Sequence, residues 1–259
     1  VNNKYKKVAM ITGASSGIGA ATARKLSDEG YALILLARRK SKLNMLASEL
    51  STPCHVIPVS VSDKENLSAE IDQIPQHFRG IDLLVNSAGV TLGEGAVHER
   101  DIDEWCSMVD ANVKGTVFVT RLVLPLMVER NKGHIINIGS TAGTYPRPGN
   151  PIYCASKAFV TQFALALRAD LKGKNIRLSS LEPGTVSNTE LALGRVGNDH
   201  QRLKALYEGY SYLEPEDIAE TIYWTASLPK HININRIDMM ATCQAFSNLT
   251  NTSDLEMLA

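Results

Sequence analysis

The amino-acid sequence predicts an α/β fold, one doubly wound domain on a parallel sheet, and three observations carry that expectation. Short β-branched or apolar runs alternate with amphipathic stretches of helical length, which is the sign of βαβ units. The runs are nearly continuous in apolar residues, as strands covered by helices on both faces require. A glycine-rich turn, Gly13-Ala14-Ser15-Ser16-Gly17-Ile18-Gly19, joins the first run to the first helical stretch.

In chain order, Val8-Ala9-Met10-Ile11-Thr12 predicts a strand over 8–12, and the stretch after the glycine turn predicts a helix over 17–29. A second apolar run gives a strand over 32–37, followed by a helix over 41–50. The same alternation gives strands over 55–59, 81–86, 133–139, 177–182 and 237–240. Helices are expected over 64–73, 110–130, 151–172 and 215–227, with a short one over 101–107. Asn150 and Pro151 supply an N-cap and a first-turn proline for 151–172, and Gly173 stands where its apolar periodicity ends. No repeat, low-complexity tract or linker divides the chain, so residues 1–259 read as one domain. Loop-like composition gathers at 144–150 and 184–199. Both follow strands, where open parallel sheets place the ligand crevice, and a substrate lid is expected near 184–210.

Lysine plus arginine and aspartate plus glutamate number 27 each, so no net charge directs the chain to nucleic acid, a membrane or a strongly charged partner. At 259 residues and 44% hydrophobic content it can bury a sizeable core. Cys54, Cys106, Cys154 and Cys243 show none of the spacings of thiolate metal sites, so buried free thiols are expected and no metal. The basic start leads into the first apolar run without a cleavage pattern, and no uninterrupted apolar stretch reaches bilayer length. A cytoplasmic, reducing compartment is the expectation.

The strand–turn–helix setting makes the glycine turn a cradle for a dinucleotide pyrophosphate. Gly13 permits the tight turn, Gly17 a close backbone approach to phosphate, and Gly19 close packing of the helix. Ser15 and Ser16 add hydroxyl donors, and Ile18 completes the turn into the helix. The second strand ends Ala37-Arg38-Arg39. No acid stands where an NAD enzyme presents one to the ribose 2′-hydroxyl, and Arg38 offers a guanidinium to a 2′-phosphate, so NADP is expected over NAD. Arg39 either assists or is a solvated charge at a helix start.

Tyr153 and Lys157 stand one helical turn apart, on one face, with Cβ atoms about 6 Å from each other. A cation about 4 Å from a phenol favours the phenolate by up to about 4 kcal/mol at an effective dielectric near 20, which is roughly three pK units. The pair is a proton donor beside the charge that tunes it, and the helix N-terminus reinforces the effect.

Together with Asn86-Ser87-Ala88-Gly89, Asn112, Ser140 and Pro183-Gly184, these residues stand at the spacings of the short-chain dehydrogenase/reductase family, which the chain resembles over nearly its whole length. The resemblance implies a single Rossmann-like domain with a seven-stranded parallel sheet and a catalytic group of Asn112, Ser140, Tyr153 and Lys157. Tyr153 would exchange the proton of the carbonyl or alcohol oxygen while Ser140 hydrogen-bonds that oxygen. Lys157 would tune Tyr153 and hold the nicotinamide ribose, and Asn112 would anchor a relay water. Further cofactor contacts are implied at Val61, Asn86, Ala88, Gly89, Tyr153, Lys157, Pro183 and Gly184. The chain departs from the family's usual pattern at Ser87, where altered strand-to-helix hydrogen bonding is expected, and at Ser60, where the adenine contact is expected to shift to backbone at Val61 or weaken.

Segments 128–143 and 228–235 resemble the NADP-dependent 3-hydroxy acid dehydrogenase subgroup, whose members oxidise serine, allo-threonine or 3-hydroxypropionate and reduce malonic semialdehyde. Such a substrate's carboxylate needs a cation, and Arg147 and Arg195, in the loop-like stretches, are the candidates. The rival readings are a reductase of a bulkier ketone, aldehyde or 3-oxoacyl carrier, and a non-catalytic NADP(H)-sensing protein. The intact Ser140, Tyr153 and Lys157 argue against a sensor. Val113, Val117, Phe118, Phe159 and Phe163 on the two long helices are candidates for burial, and the family resemblance implies a dimer or tetramer formed through those helices. The polar segment after Gln244 is either a subunit contact or a tail.

Overall fold

The computed structural model describes residues 7–93, 96–146, 148–196 and 199–246. Seven parallel strands form one sheet in the order β3-β2-β1-β4-β5-β6-β7. They are β1 Lys7–Thr12, β2 Tyr31–Leu36, β3 Cys54–Ile57, β4 Ile81–Asn86, β5 Gly133–Ile138, β6 Ile176–Pro183 and β7 Arg236–Met239, each within a residue or two of its expected span. The α-helices are α1 Gly17–Asp28, α2 Lys40–Glu49, α3 Lys64–Asp72, α4 Ile102–Val109, α5 Gly115–Glu129, α6 Pro151–Asp170, α7 Glu190–Arg195, α8 His200–Tyr207 and α9 Pro215–Ser227.

Successive residues of the central strands enter opposite cores. Met10 and Ile34 meet Leu67 of α3 and Val119 of α5, while Ile11 and Leu35 meet Leu26 of α1, Leu43 of α2 and Ile218 of α9. This two-sided burial, at about 1.5–3 kcal/mol for each fully buried aliphatic side chain, is what the continuous apolar runs encode. Strand order reverses between β1 and β4, and a groove opens there at the carboxyl ends of the strands.

The structure differs from the sequence expectation over 101–130. Instead of two separate helices, α4 and α5 run together through a π-helical turn at Asp110–Lys114. Within that turn the buried Asn112 amide accepts from Val90 N at 2.8 Å and donates to Val90 O at 2.9 Å, so the widened turn is tied to the loop after β4. By length and composition this Ile102–Glu129 rod could cross a membrane, which apolar runs alone did not show. Val119, Val123 and Met127 instead seat it in the core against the sheet.

The 184–199 stretch also folds further than its composition implies. Thr189 Oγ1 accepts from Ala192 N at 3.1 Å to start α7, and the Asp199 carboxylate accepts from Gln201 N and Arg202 N to start α8. Beyond β7 the chain folds back on the loop after β6. Gln244 Oε1 accepts from Thr185 N at 3.0 Å, and Phe246 packs on Tyr145 with ring centroids 4.8 Å apart. The rest of the segment after Gln244, from 247 onward, lies outside the described residues. Val113, Val117, Phe118, Phe159 and Phe163 are half-buried, not buried, within the single chain, and Phe159 stacks on Phe163 at 5.6 Å.

Candidate functional site

The groove has a volume of about 880 Å³. Its floor is the turn between β1 and α1. Gly13 lies at φ +67, and a Cβ there would come within 2.9 Å of Ala88 Cα; a Cβ on Gly19 would come within 2.3 Å of Gly13 O. Neither position tolerates a side chain, because the turn is pressed between the loop after β4 and its own helix. Gly17 lies at φ +50, facing Thr189, the N-cap residue of α7. Ile18 lines the same wall. Ser16 occupies the N-cap of α1 but makes no capping bond with its side chain, because its hydroxyl donates to Glu190 Oε2 at 2.9 Å.

Ala37, Arg38 and Arg39 border the groove at the end of β2, with Val61 on the adjoining loop. Arg38 is exposed and makes no hydrogen bond or ion pair with the described residues. Arg39 is the half-buried N-cap residue of α2. Its guanidinium donates to Ser15 Oγ at 2.8 Å and Ser16 Oγ at 3.1 Å and pairs with Glu190 at 2.6 Å. Both serine hydroxyls expected to face phosphate are thus engaged with the protein. Hydrogen bonds from Arg39, then from Lys42 and Ser16, hold the Glu190 carboxyl down to about 2 despite its partial burial.

At the other end of the groove, Lys157 Nζ donates to Ile138 O at 2.8 Å and lies 5.8 Å from the centroid of the Tyr153 ring. Burial pushes the Lys157 ammonium down from its usual 10.5 to about 8. Ser140 starts the 3-10 turn Thr141–Gly143. Its Oγ accepts from Ala142 N at 3.2 Å and donates to Pro183 O at a long 3.4 Å. Ser140, Tyr153 and Lys157 line the groove together with Ala88, Gly89, Pro183 and Gly184.

Two of the expected site residues, Asn86 and Asn112, are buried and hydrogen-bonded within the protein. Asn86 is buried away from the groove, its Nδ2 donating to Asn137 Oδ1 at 2.9 Å and Thr120 Oγ1 at 3.0 Å, so it ties β4 to β5 and α5. Asn112 is buried too, and its Oδ1 and the Lys157 Nζ lie 3.2 Å and 3.4 Å from where a Cβ on Gly89 would stand. Besides Val90, its amide donates to Ser156 Oγ at 3.0 Å, and Ser156 donates to Tyr153 O at 2.8 Å, so Asn112 braces the first turn of α6. Arg147 lies outside the described residues. Arg195 ends α7, and its side chain likewise lies outside them.

Sequence reasoning missed Thr91 and Thr189, Glu190 and Leu191 at the start of α7, all of which line the groove. The Thr-Glu pair shortly after Pro183-Gly184 is a helix-start signal that would have pointed to the last three.

A doubly wound parallel sheet with this glycine turn at the reversal point of its strands defines a dinucleotide-binding protein of the Rossmann-like class. The chain belongs to the short chain dehydrogenase family, whose model matches residues 7–198. It is 42% identical over 243 residues to the NADP-dependent 3-hydroxy acid dehydrogenase YdfG of Salmonella typhi, spanning 94% of this chain and 98% of that protein. It is 44% identical to sulfoacetaldehyde reductase 2 of Chromohalobacter salexigens, spanning 93% of this chain and 96% of that one. The solved structure of the closed form of serine dehydrogenase complexed with NADP+ is similar at a TM-score of 0.91 and 40% identity, over 94% of this chain and 98% of that one.

Proposed function

We propose that the protein is an NADP(H)-dependent oxidoreductase that interconverts a small 3-hydroxy acid, or a like-sized anionic alcohol, and its oxo acid or semialdehyde. The convergence of Ser140, Tyr153 and Lys157 at one end of a groove whose other end presents Arg38 carries this reading. The relatives named for 3-hydroxy acids and for sulfoacetaldehyde support it, since both substrates pair a hydroxyl or carbonyl carbon with a nearby anion.

The residues present fit NADP(H). The glycine turn has no side chain to obstruct a pyrophosphate, Ala37 offers no carboxylate against a 2′-phosphate, and the Arg38 guanidinium is exposed beside it. Bound there, the cofactor supplies or accepts the hydride. During reduction, the Tyr153 hydroxyl gives its proton to the substrate oxygen. The Ser140 hydroxyl, whose bond to Pro183 is long, turns to donate to that same oxygen as charge grows on it. Lys157 keeps a positive charge beside the phenol, favouring the phenolate left behind, and has donors beyond its Ile138 bond for the nicotinamide ribose. Asn112 works through Ser156 to hold the backbone that carries Tyr153. The 184–210 segment serves as the substrate lid.

NADPH oxidation tested against malonic semialdehyde, sulfoacetaldehyde, a neutral bulky ketone and a 3-oxoacyl thioester checks this reading. The small anionic aldehydes are expected to exceed the others in kcat/KM by at least about 100-fold, the scale of a paired buried charge, with NADPH preferred to NADH. Preference for the bulky ketone or thioester would favour the reductase alternative. NADPH binding without turnover on any of them would favour a sensor.

We also infer a dimer or tetramer. Ile102 and Leu165 are exposed on α4 and α6, Phe159 and Phe163 of α6 form a half-buried stack, and Trp224 is exposed on α9. A monomeric mass by light scattering at micromolar concentration would contradict this. The free thiols at Cys54, Cys106, Cys154 and Cys243 support a cytoplasmic, reducing setting.

A further inference from the structure

We propose that Glu190 is a positioning residue, a latch that fastens the lid helix α7 across the cofactor groove to Ser16, Arg39 and Lys42; the inference rests on this groove being the NADP(H) site. The two sides of the contact are far apart in sequence and meet only across the groove. Glu190 Oε1 accepts from Lys42 Nζ at 2.7 Å and from Arg39 at 2.8 Å. Its Oε2 accepts from Ser16 Oγ at 2.9 Å and pairs with Arg39 at 2.6 Å. Both carboxylate oxygens are engaged, on donors from the glycine turn and the start of α2.

The neighbouring residues fit a clasp. Thr189 packs over Gly17, its Cγ2 3.4 Å from where a Cβ would stand, so the latch draws the lid onto the turn that forms the cradle. On the other side of Thr189, Asn188 lies at φ 52 and donates to Glu214 Oε2 at 2.9 Å, which anchors the base of the lid. The opposite reading is that Glu190 imitates the cofactor phosphate and competes with it. The distribution of cations favours the latch. Arg39 and Lys42 are engaged by Glu190, yet Arg38 is left exposed with no bond to the described residues, so a guanidinium stands ready for the 2′-phosphate while the clasp is closed. The carboxylate then sits behind Arg39 as a counter-charge that keeps the lid shut. Isolated exposed ion pairs contribute little, but one carboxylate shared by three donors has the geometry of the stronger cases.

The test is release of bound NADPH, followed by fluorescence in stopped flow with excess NADP+ as the chase, for the wild type and Glu190→Gln. Glu190 is partly exposed and the substitution keeps its shape, so the melting temperature of the ligand-free protein serves as the control for folding. Release is expected to be about tenfold faster in the variant. Raising the salt concentration should accelerate release from the wild type but have much less effect on the variant, a response that loss of packing alone would not give. Lys42→Met should reproduce part of the effect and add little when combined with Glu190→Gln, because both cut the same contact. Slower release, or tighter NADPH binding, by Glu190→Gln would show that the carboxylate competes with phosphate and would overturn the latch. Unchanged release would overturn it as well. A wild type that does not bind NADPH would overturn the groove assignment and the latch with it.

Discussion

Replacing Tyr153 with phenylalanine is expected to lower single-turnover reduction by about 1000-fold, within the range for losing a general acid, while NADPH affinity stays within about twofold. That loss corresponds to about 4 kcal/mol of barrier. The ring is kept, so the half-buried packing of the first turn of α6 survives, and the brace from Asn112 through Ser156 acts on the Tyr153 backbone, which phenylalanine preserves. The substrate oxygen would still receive the Ser140 hydroxyl, so stabilisation of its charge persists without the proton. The effect therefore falls on the chemical step and spares binding.

Lys157→Ala is expected to damage both. In the proposed mechanism the ammonium is the charge beside the phenol and a donor to the nicotinamide ribose, so turnover should fall by about 1000-fold and NADPH affinity by about 10-fold, the latter matching the loss of one or two charge-assisted hydrogen bonds. Its titration gives a second signature. Burial holds the Lys157 pKa at about 8, so the ammonium is intact below that pH and is lost above it. The wild-type kcat/KM for NADPH should be level on the acid side and decline as pH rises through about 8, and a pH profile of Lys157→Ala should lack that limb. The same shift works against the fold. Between about 8 and 10.5 the unfolded chain holds a proton on Lys157 that the folded chain has released, so this residue's contribution to stability rises with pH across that window. At neutral pH the protein thus keeps a buried charge that its fold does not favour, a common cost of an active centre.

Much of the fold was legible in the sequence because it rests on local pattern. Continuous apolar runs marked strands buried on both faces, and the glycine turn could be read because Gly13 and Gly19 sit where a Cβ would strike backbone. Tyr153 and Lys157 were legible as neighbours on one helix face. The unread features depend on contacts distant in sequence. Asn86 turns inward because Asn137, on the adjacent strand, receives its amide. The π-helical turn exists with Asn112 bonded to Val90 on another loop, which no periodicity reveals. Arg39 remained ambiguous because its partner Glu190 lies 151 residues away. Helices α7 and α8 were a different failure. Thr189 and Asp199 are ordinary caps, but each helix is so short that the surrounding glycine and asparagine outweighed the signal.

The most direct test is a single turnover of NADPH with malonic semialdehyde by the wild type and Tyr153→Phe, run beside a fluorescence titration of NADPH into each. The expected result is rapid NADPH consumption by the wild type, near-complete loss of it in the variant, and two binding curves that nearly coincide. Equal consumption by both proteins, or loss of NADPH binding along with turnover, would contradict the assignment of Tyr153 as the proton donor.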